Sequence, residues 1–236
     1  MNYKLPISRR LLTCASFVRA GSRVADIGTD HGYLAIHLLR EGIAAHVAAC
    51  DLREQPLAKA RANAEKFDIS DRIEFHCADG LAAVEPAAVD TVVCAGMGGD
   101  CIIEILTAAP WLKDGKYRLI LQPQTSGQAL RAYLSGEGFA ILRETLVDEA
   151  GFLYTVLEAQ FTGEREVLSP GAQYVSAALL RDASPLLGYY FERLCSSLSR
   201  TVEGLRGTSG REERKAYYET ALREVTEMRE RYGNGE

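Results

Sequence analysis

Aspartates, glycines or both mark four short stretches of this 236-residue sequence. The first is VADIGTDHGYL at 24–34, which holds Asp26, Gly28, Asp30, His31 and Gly32. The second is Asp51 with Leu52 beside it, and the third is ADGL at 78–81, with Asp79 and Gly80. The fourth is AGMGG at 95–99, which holds Gly96, Met97, Gly98 and Gly99. Carboxylates accept hydrogen bonds and hold positive charge, and glycines let a ligand reach bare backbone. The set suits a small ligand that carries hydroxyls and a positive charge. Metal chemistry is not expected: no C-x-x-C pair occurs among the six cysteines, and the four histidines are scattered. His31 has no visible partner that would make it a general base, so it is expected only to touch the ligand.

A buried strand, a glycine turn and a helix also open dinucleotide sites, whose fingerprint is G-x-G-x-x-G. Counted from Gly28, the second and third glycine positions hold Asp30 and Tyr33. Neither allows the close approach that a pyrophosphate needs, and Asp30 would repel its phosphates. S-adenosylmethionine has no phosphate, and its sulfonium and amino groups are positive. Asp26 and Asp30 meet such a ligand at no electrostatic penalty, so the stretch favours S-adenosylmethionine over a dinucleotide. Asp51 is placed to accept both ribose hydroxyls, or else to cap the helix that starts near Gln55. Asp79 is placed to accept from an adenine amine while Gly80 leaves room for the ring; an ordinary strand-to-helix turn is the competing reading. AGMGG brings bare backbone to the carboxyl end of a strand, where ligands bind in open parallel sheets, or else caps the next helix. Methyltransferases acting on exocyclic amines usually place Asn/Asp-Pro-Pro-aromatic there, and that set is absent. A ring nitrogen with a free lone pair has no proton to lose, and positioning would supply most of its rate. Gln122 and Tyr154 are placed to face the same cleft, or else serve the structure alone.

These positions need a scaffold, and the patterning supplies one. β-rich apolar runs at 23–27, 46–51, 72–77, 90–95 and 118–121 alternate with helical patterns at 33–40, 55–67, 99–108 and 127–137. Such alternation predicts a parallel sheet with helices on both faces. Extended runs at 139–148 and 152–161 are joined by three residues, which makes an antiparallel hairpin at one edge. The expected fold is therefore α/β, a Rossmann-like seven-stranded sheet over residues 1–162. From Gly163 to Glu236 the strand signal stops. Leu187, Tyr190, Leu194, Leu198, Val202 and Leu205 form one apolar seam, and Tyr218, Ala221, Val225, Met228 and Tyr232 form another. With a break at 207–210, this predicts a helical hairpin as a second domain.

Composition narrows the class. With 47% hydrophobic and 25% charged residues the chain reads as an ordinary globular protein. No apolar run approaches the roughly 20 residues of a membrane span, and no signal-peptide core is evident, so a cytoplasmic location is expected. Cys50, Cys77 and Cys94 are expected as small core residues. The net charge of −5 argues mildly against nucleic acid, yet Lys4, Arg9, Arg10, Arg19 and Arg23 precede Asp26 with no acid among them. Arg193 and Arg200 lie two helical turns apart on one face. A monomer or weak homodimer is expected.

Together the pieces resemble the bacterial tRNA (adenine-22-N1)-methyltransferase family. The resemblance is carried by 5–12 with Ser8 and Arg9, by VADIGTDHGYL, ADGL and AGMGG, by LQPQ at 121–124, and by the paired tail helices. VADIGTDHGY combined with GMGG at this spacing is specific. The resemblance implies a Rossmann-like methyltransferase domain with a helical C-terminal coiled-coil domain that binds tRNA. It implies S-adenosylmethionine as donor, N1 of an adenine in the tRNA D-arm as acceptor, and no metal. On this reading Asp26, Gly28, Asp30, His31, Gly32, Asp51, Leu52, Asp79 and Gly80 hold the cofactor. Gly96, Met97, Gly98, Gly99 and Gln122 line the place of transfer, while Arg9, Arg10, Tyr154, Arg193 and Arg200 meet the tRNA. The rivals are a methyltransferase for a small molecule or protein, and a cofactor sensor without turnover.

Overall fold

The computed structural model describes residues 5–206 and 210–233. Lys4 of the basic N-terminus and residues 207–209 of the expected tail turn lie outside the described residues. A first helix, α1 (Arg9–Phe17), leads into β1 (Ser22–Ile27), α2 (Tyr33–Arg40), β2 (Ala44–Asp51), α3 (Glu54–Lys66) and β3 (Ile73–Cys77). Then follow β4 (Thr91–Met97), α4 (Gly99–Ala108), β5 (Arg118–Pro123) and α5 (Gly127–Gly136). The hairpin β6 (Phe139–Glu149) and β7 (Phe152–Phe161) completes a seven-stranded sheet in the order β3-β2-β1-β4-β5-β7-β6. β1 to β5 pair in parallel, and β7 runs antiparallel between β5 and β6.

The central strands are buried on both faces, which is why they read as continuous apolar runs rather than alternating ones. Successive side chains still serve opposite layers. Ala25, Ile27, Val92, Cys94, Leu119 and Leu121 pack with Ile102 and Leu106 of α4 and Leu130 and Leu134 of α5. Val24, Val93 and Ile120 pack on the other side with Cys14 of α1, Leu34 and Leu38 of α2 and Ala64 of α3. One expectation fails here: Cys77 is exposed, because β3 is the edge strand and its end faces solvent.

The remaining chain forms two short helices, α6 (Pro170–Tyr174) and α7 (Ala177–Asp182), then α8 (Leu187–Leu205) and α9 (Glu212–Gly233). Phe191, Cys195 and Leu198 of α8 meet Ala221 and Val225 of α9, and Leu146 of β6 belongs to the same core. The helices are also tied to the sheet by a buried ion pair. Arg131 of α5 is 2% exposed and Glu144 of β6 is 1% exposed. Glu144 accepts from the Arg131 guanidinium and, at 2.6 Å, from the Ser176 hydroxyl, while Arg131 donates to the Gln173 carbonyl at 3.1 Å. Burying two charges costs several kcal/mol each, so the additional partners matter: every face of the pair is satisfied.

Candidate functional site

The strand order reverses between β1 and β4, which run parallel, and at such a switch point an open parallel sheet leaves a crevice at the carboxyl ends of its strands. A cleft of about 450 Å³ lies there. Its walls include Asp26 and Gly28 from the end of β1, residues 29–31, Asp51 from β2, and residues 95–97 from β4. Gly28, Asp30 and Gly32 all take the left-handed backbone, with φ of 73°, 51° and 73°. The N–H groups of Gly28 and Thr29 both donate to the Cys50 carbonyl at 2.9 Å, which pins the turn to β2. A Cβ on Gly28 would stand 2.8 Å from the movable Met97 methyl, and the φ of 73° is what strains any other residue there.

Asp26 is 3% exposed and accepts from the Thr29 hydroxyl at 2.7 Å. Burial pushes its carboxyl up to about 6, and the Thr29 bond and a backbone N–H from Ala35 offset only part of that. A buried carboxylate of raised pKa in a cleft marks a candidate functional group. Asp51 holds two loops together: one oxygen accepts from the Asp30 N–H at 3.2 Å and the other from the Arg53 N–H at 3.0 Å. Each oxygen retains a lone pair for a ligand. Its alternative role as a helix cap is excluded, since α3 starts at Glu54 and its N-cap is Arg53. His31 lines the cleft, with its ring 5.5 Å from that of Tyr33 and its Nε2 3.6 Å from the Asp30 carboxylate.

Other expected residues stand outside the cleft wall, for reasons of packing. Leu52 is 66% exposed to solvent. A Cβ on Gly32 would lie 3.0 Å from that of Ala60, so this glycine serves the contact between α2 and α3. The room expected beside Gly80 is filled by Ile105 of α4, 3.1 Å from an added Cβ, and Asp79 is exposed. Gly98 and Gly99 face the loop after β5. A Cβ on Gly98 would meet the Thr125 hydroxyl at 3.1 Å, and one on Gly99 would meet the Ser126 carbonyl at 2.6 Å. Of AGMGG, residues 95–97 reach the cleft.

Gln122 does not present its amide to the cleft. It is wholly buried; its oxygen accepts from the Gly96 N–H at 3.1 Å and from Arg10 Nη1 at 2.9 Å, and its nitrogen donates to the Pro123 carbonyl at 2.9 Å. It therefore fixes the left-handed Gly96 peptide. Arg10, expected on a basic outer face, is drawn into the cleft wall. It ion-pairs with Glu149 and stacks 4.8 Å from the Tyr154 ring centroid. Glu149 feels burial, which would raise its carboxyl, yet the Arg10 hydrogen bond and charge, with the Arg9 N–H and the Ser8 hydroxyl, hold it below its ordinary value. Arg9 itself contacts this network through its backbone, at 2.8 Å from Glu149. Arg193 and Arg200 lie away from the cleft on α8. Arg193 donates to the Gly151 carbonyl at 3.2 Å and Arg200 to the Ser196 carbonyl at 3.3 Å, and both are exposed. Glu149, Arg53 and Thr29 escaped sequence reasoning. Glu149 sits 139 positions from Arg10, a distance at which no local signal links them. Among the described residues, no group of three or more His, Cys, Asp or Glu is placed to hold a metal ion.

A seven-stranded sheet of this order with an acidic switch-point cleft defines a methyltransferase, and residues 7–157 match the family model described as a methyltransferase domain. The tRNA (adenine(22)-N(1))-methyltransferase of Bacillus subtilis (strain 168) is 34% identical over 177 residues, covering 75% of this chain and 74% of that protein. The chain belongs to the tRNA (adenine(22)-N(1))-methyltransferase family. The Streptococcus pneumoniae protein Sp1610, solved in complex with S-adenosyl-L-methionine, superposes with a TM-score of 0.80 at 30% identity, covering 94% of this chain and 98% of that one. The B. subtilis m1A22 tRNA methyltransferase TrmK superposes with a TM-score of 0.79 at 27% identity, covering 96% and 97%.

Proposed function

We infer that this chain transfers a methyl group from S-adenosylmethionine to N1 of adenine 22 in the D-arm of tRNA. The observation that carries the reading is the buried Asp26 carboxylate at the switch point, in a cleft with no glycine run for phosphate. Family membership supplies the RNA substrate. The donor set fits the cofactor: Asp26 for its positive groups, Asp51 for its ribose hydroxyls, and Gly28 with residues 95–97 for close approach. When bound, S-adenosylmethionine supplies an electrophilic methyl group on a cationic sulfur.

The chain's own residues bind and orient. Adenine N1 holds a lone pair in the ring plane and no proton, so transfer there needs no general base. Rigid presentation of the acceptor is then the main source of rate. The Gln122–Gly96 bond and the Arg10–Glu149 pair supply that rigidity at the end of β4. Asp79 and Gly80 extend the cofactor site toward adenine only if the ligand reaches past the cleft wall. The helices at 163–236 serve as a tRNA-binding domain, with the exposed Arg193 and Arg200 facing phosphate. Each phosphate contact of this kind steepens the salt dependence of binding. A monomer or weak homodimer is the proposed working unit, and a tRNA substrate supports a cytoplasmic location.

The test is to incubate the protein with an unmodified tRNA transcript and labelled S-adenosylmethionine, then map the product by nuclease digestion and mass spectrometry. N1-methyladenosine at one D-arm position is expected. Label that survives ribonuclease, or appears only on a small molecule or protein, would overturn the reading.

A further inference from the structure

A second cavity of about 410 Å³ adjoins the cofactor cleft, between the loop after β5, the first turn of α5, β7 and α8. The two share Gln124 as a common wall. Tyr154 lines the second cavity, while Arg10 of the first stacks on its ring. The far wall is Leu194 and Ser197 of α8. Among the described residues, the side chains of Gln124, Thr125, Gln128 and Ser197 make no hydrogen bond to the protein. A cavity with unused amides, an aromatic ring and a leucine offers what an unpaired nucleobase needs: edge partners that both donate and accept, and a flat apolar contact. Its size exceeds a single base, and it lies between the sheet and α8.

We propose that this cavity is a subsite for the nucleobase next to the target adenine, read at its edge by Gln124 and Gln128 and stacked on Tyr154. The inference rests on the RNA substrate assigned above. A strand that brings the target adenine up to residues 95–97 carries its neighbour past Gln124, so the two bases are separated by a protein wall rather than stacked on each other. That arrangement holds the target base out of its helical stack.

The test uses the full-length protein and three tRNA transcripts: the natural one, and two in which the nucleotide before or after the target adenine is abasic. Wild type is expected to lose about tenfold in kcat/KM on one abasic transcript, the scale of one or two neutral hydrogen bonds. Gln128→Leu is expected to lose about tenfold on the natural transcript, to lose nothing further on the abasic one, and to keep its affinity for S-adenosylmethionine. Should Gln128→Leu fail to fold, Gln128→Ala, which lines only the second cavity, gives the same comparison. Wild type indifferent to both abasic changes, or a variant equally impaired on natural and abasic RNA, would overturn the subsite alone. A wild type inactive on every transcript would overturn the reaction itself.

Discussion

Replacing Asp51 by alanine tests the cofactor assignment at its most constrained point. Asp51 is 9% exposed, and its two oxygens already accept backbone N–H groups from Asp30 at 3.2 Å and Arg53 at 3.0 Å. Asp51→Ala removes the ribose acceptor and releases both loops that form the cleft rim. A hydrogen bond to a charged group contributes about 1.5–3 kcal/mol, so the lost ribose contact alone weakens S-adenosylmethionine binding by roughly 10- to 150-fold. Each of the two stranded N–H groups adds a folding cost of up to about 1–3 kcal/mol, less where water reaches these part-buried donors, which a domain of ordinary stability survives. Asp51→Asn keeps one acceptor and turns the other into a donor, so it should fall between wild type and alanine. Isothermal titration calorimetry on variants shown to be folded reads the affinity directly. Unchanged affinity in folded Asp51→Ala would leave Asp51 as a tether between loops and remove it from the cofactor site.

Three further outcomes follow from the geometry. Asp26 sits at about 6 in the fold against 3.8 in the unfolded chain. Its contribution to stability is complete below pH 3.8 and is lost as pH rises to 6, about 3 kcal/mol at 1.36 kcal/mol per unit. Urea titrations should therefore show Asp26→Asn gaining on wild type between pH 4.5 and 7.5, and parallel pH profiles would refute the argument. Gly99→Ala places a methyl 2.6 Å from a backbone carbonyl, whereas Gly98→Ala meets only the Thr125 hydroxyl at 3.1 Å from an ordinary φ of −66°. Thermal melts should show the first destabilised by about 1–3 kcal/mol and the second nearly neutral; equal melting would sink the packing account. Glu144→Ala strands buried Arg131 and should cost about 3–5 kcal/mol in denaturant unfolding, a loss that a surface pair would not show.

The sheet was legible because its signals are local. Each strand is a short apolar run, each crossover helix has its own periodicity, and the three-residue link at 149–151 left the hairpin no other geometry. The helices that escaped notice share one trait. They are α1, with 9 residues, and α6 and α7, whose 5 and 6 residues are too short for an amphipathic pattern to emerge. Each begins at a serine, Ser8, Ser169 and Ser176, whose hydroxyl accepts an N–H of the first turn. Serine caps were thus the available signal. The buried Arg131–Glu144 pair left no trace, since a charged residue in a half-polar helix or an edge strand reads as solvated until the C-terminal helices cover it.

The site divides along the same line. The carboxylates were readable because a charge at the end of an apolar strand has to be answered by something, and Asp26 and Asp51 indeed face the cleft. The glycines were readable only as places of close approach, and what approaches is decided by tertiary packing. At Gly28 it is Met97; at Gly80 it is Ile105; at Gly98 and Gly99 it is the loop after β5. A glycine beside a ligand cleft is therefore ambiguous by itself, because protein and ligand make the same demand on it. Arg10 shows the converse. Alone it reads as one cation in a basic N-terminus, yet sheet order brings Glu149, Gln122 and Tyr154 around it and turns a presumed phosphate contact into part of the frame that fixes Gly96. A charge paired across 139 residues is set by topology, and only the folded chain makes it visible.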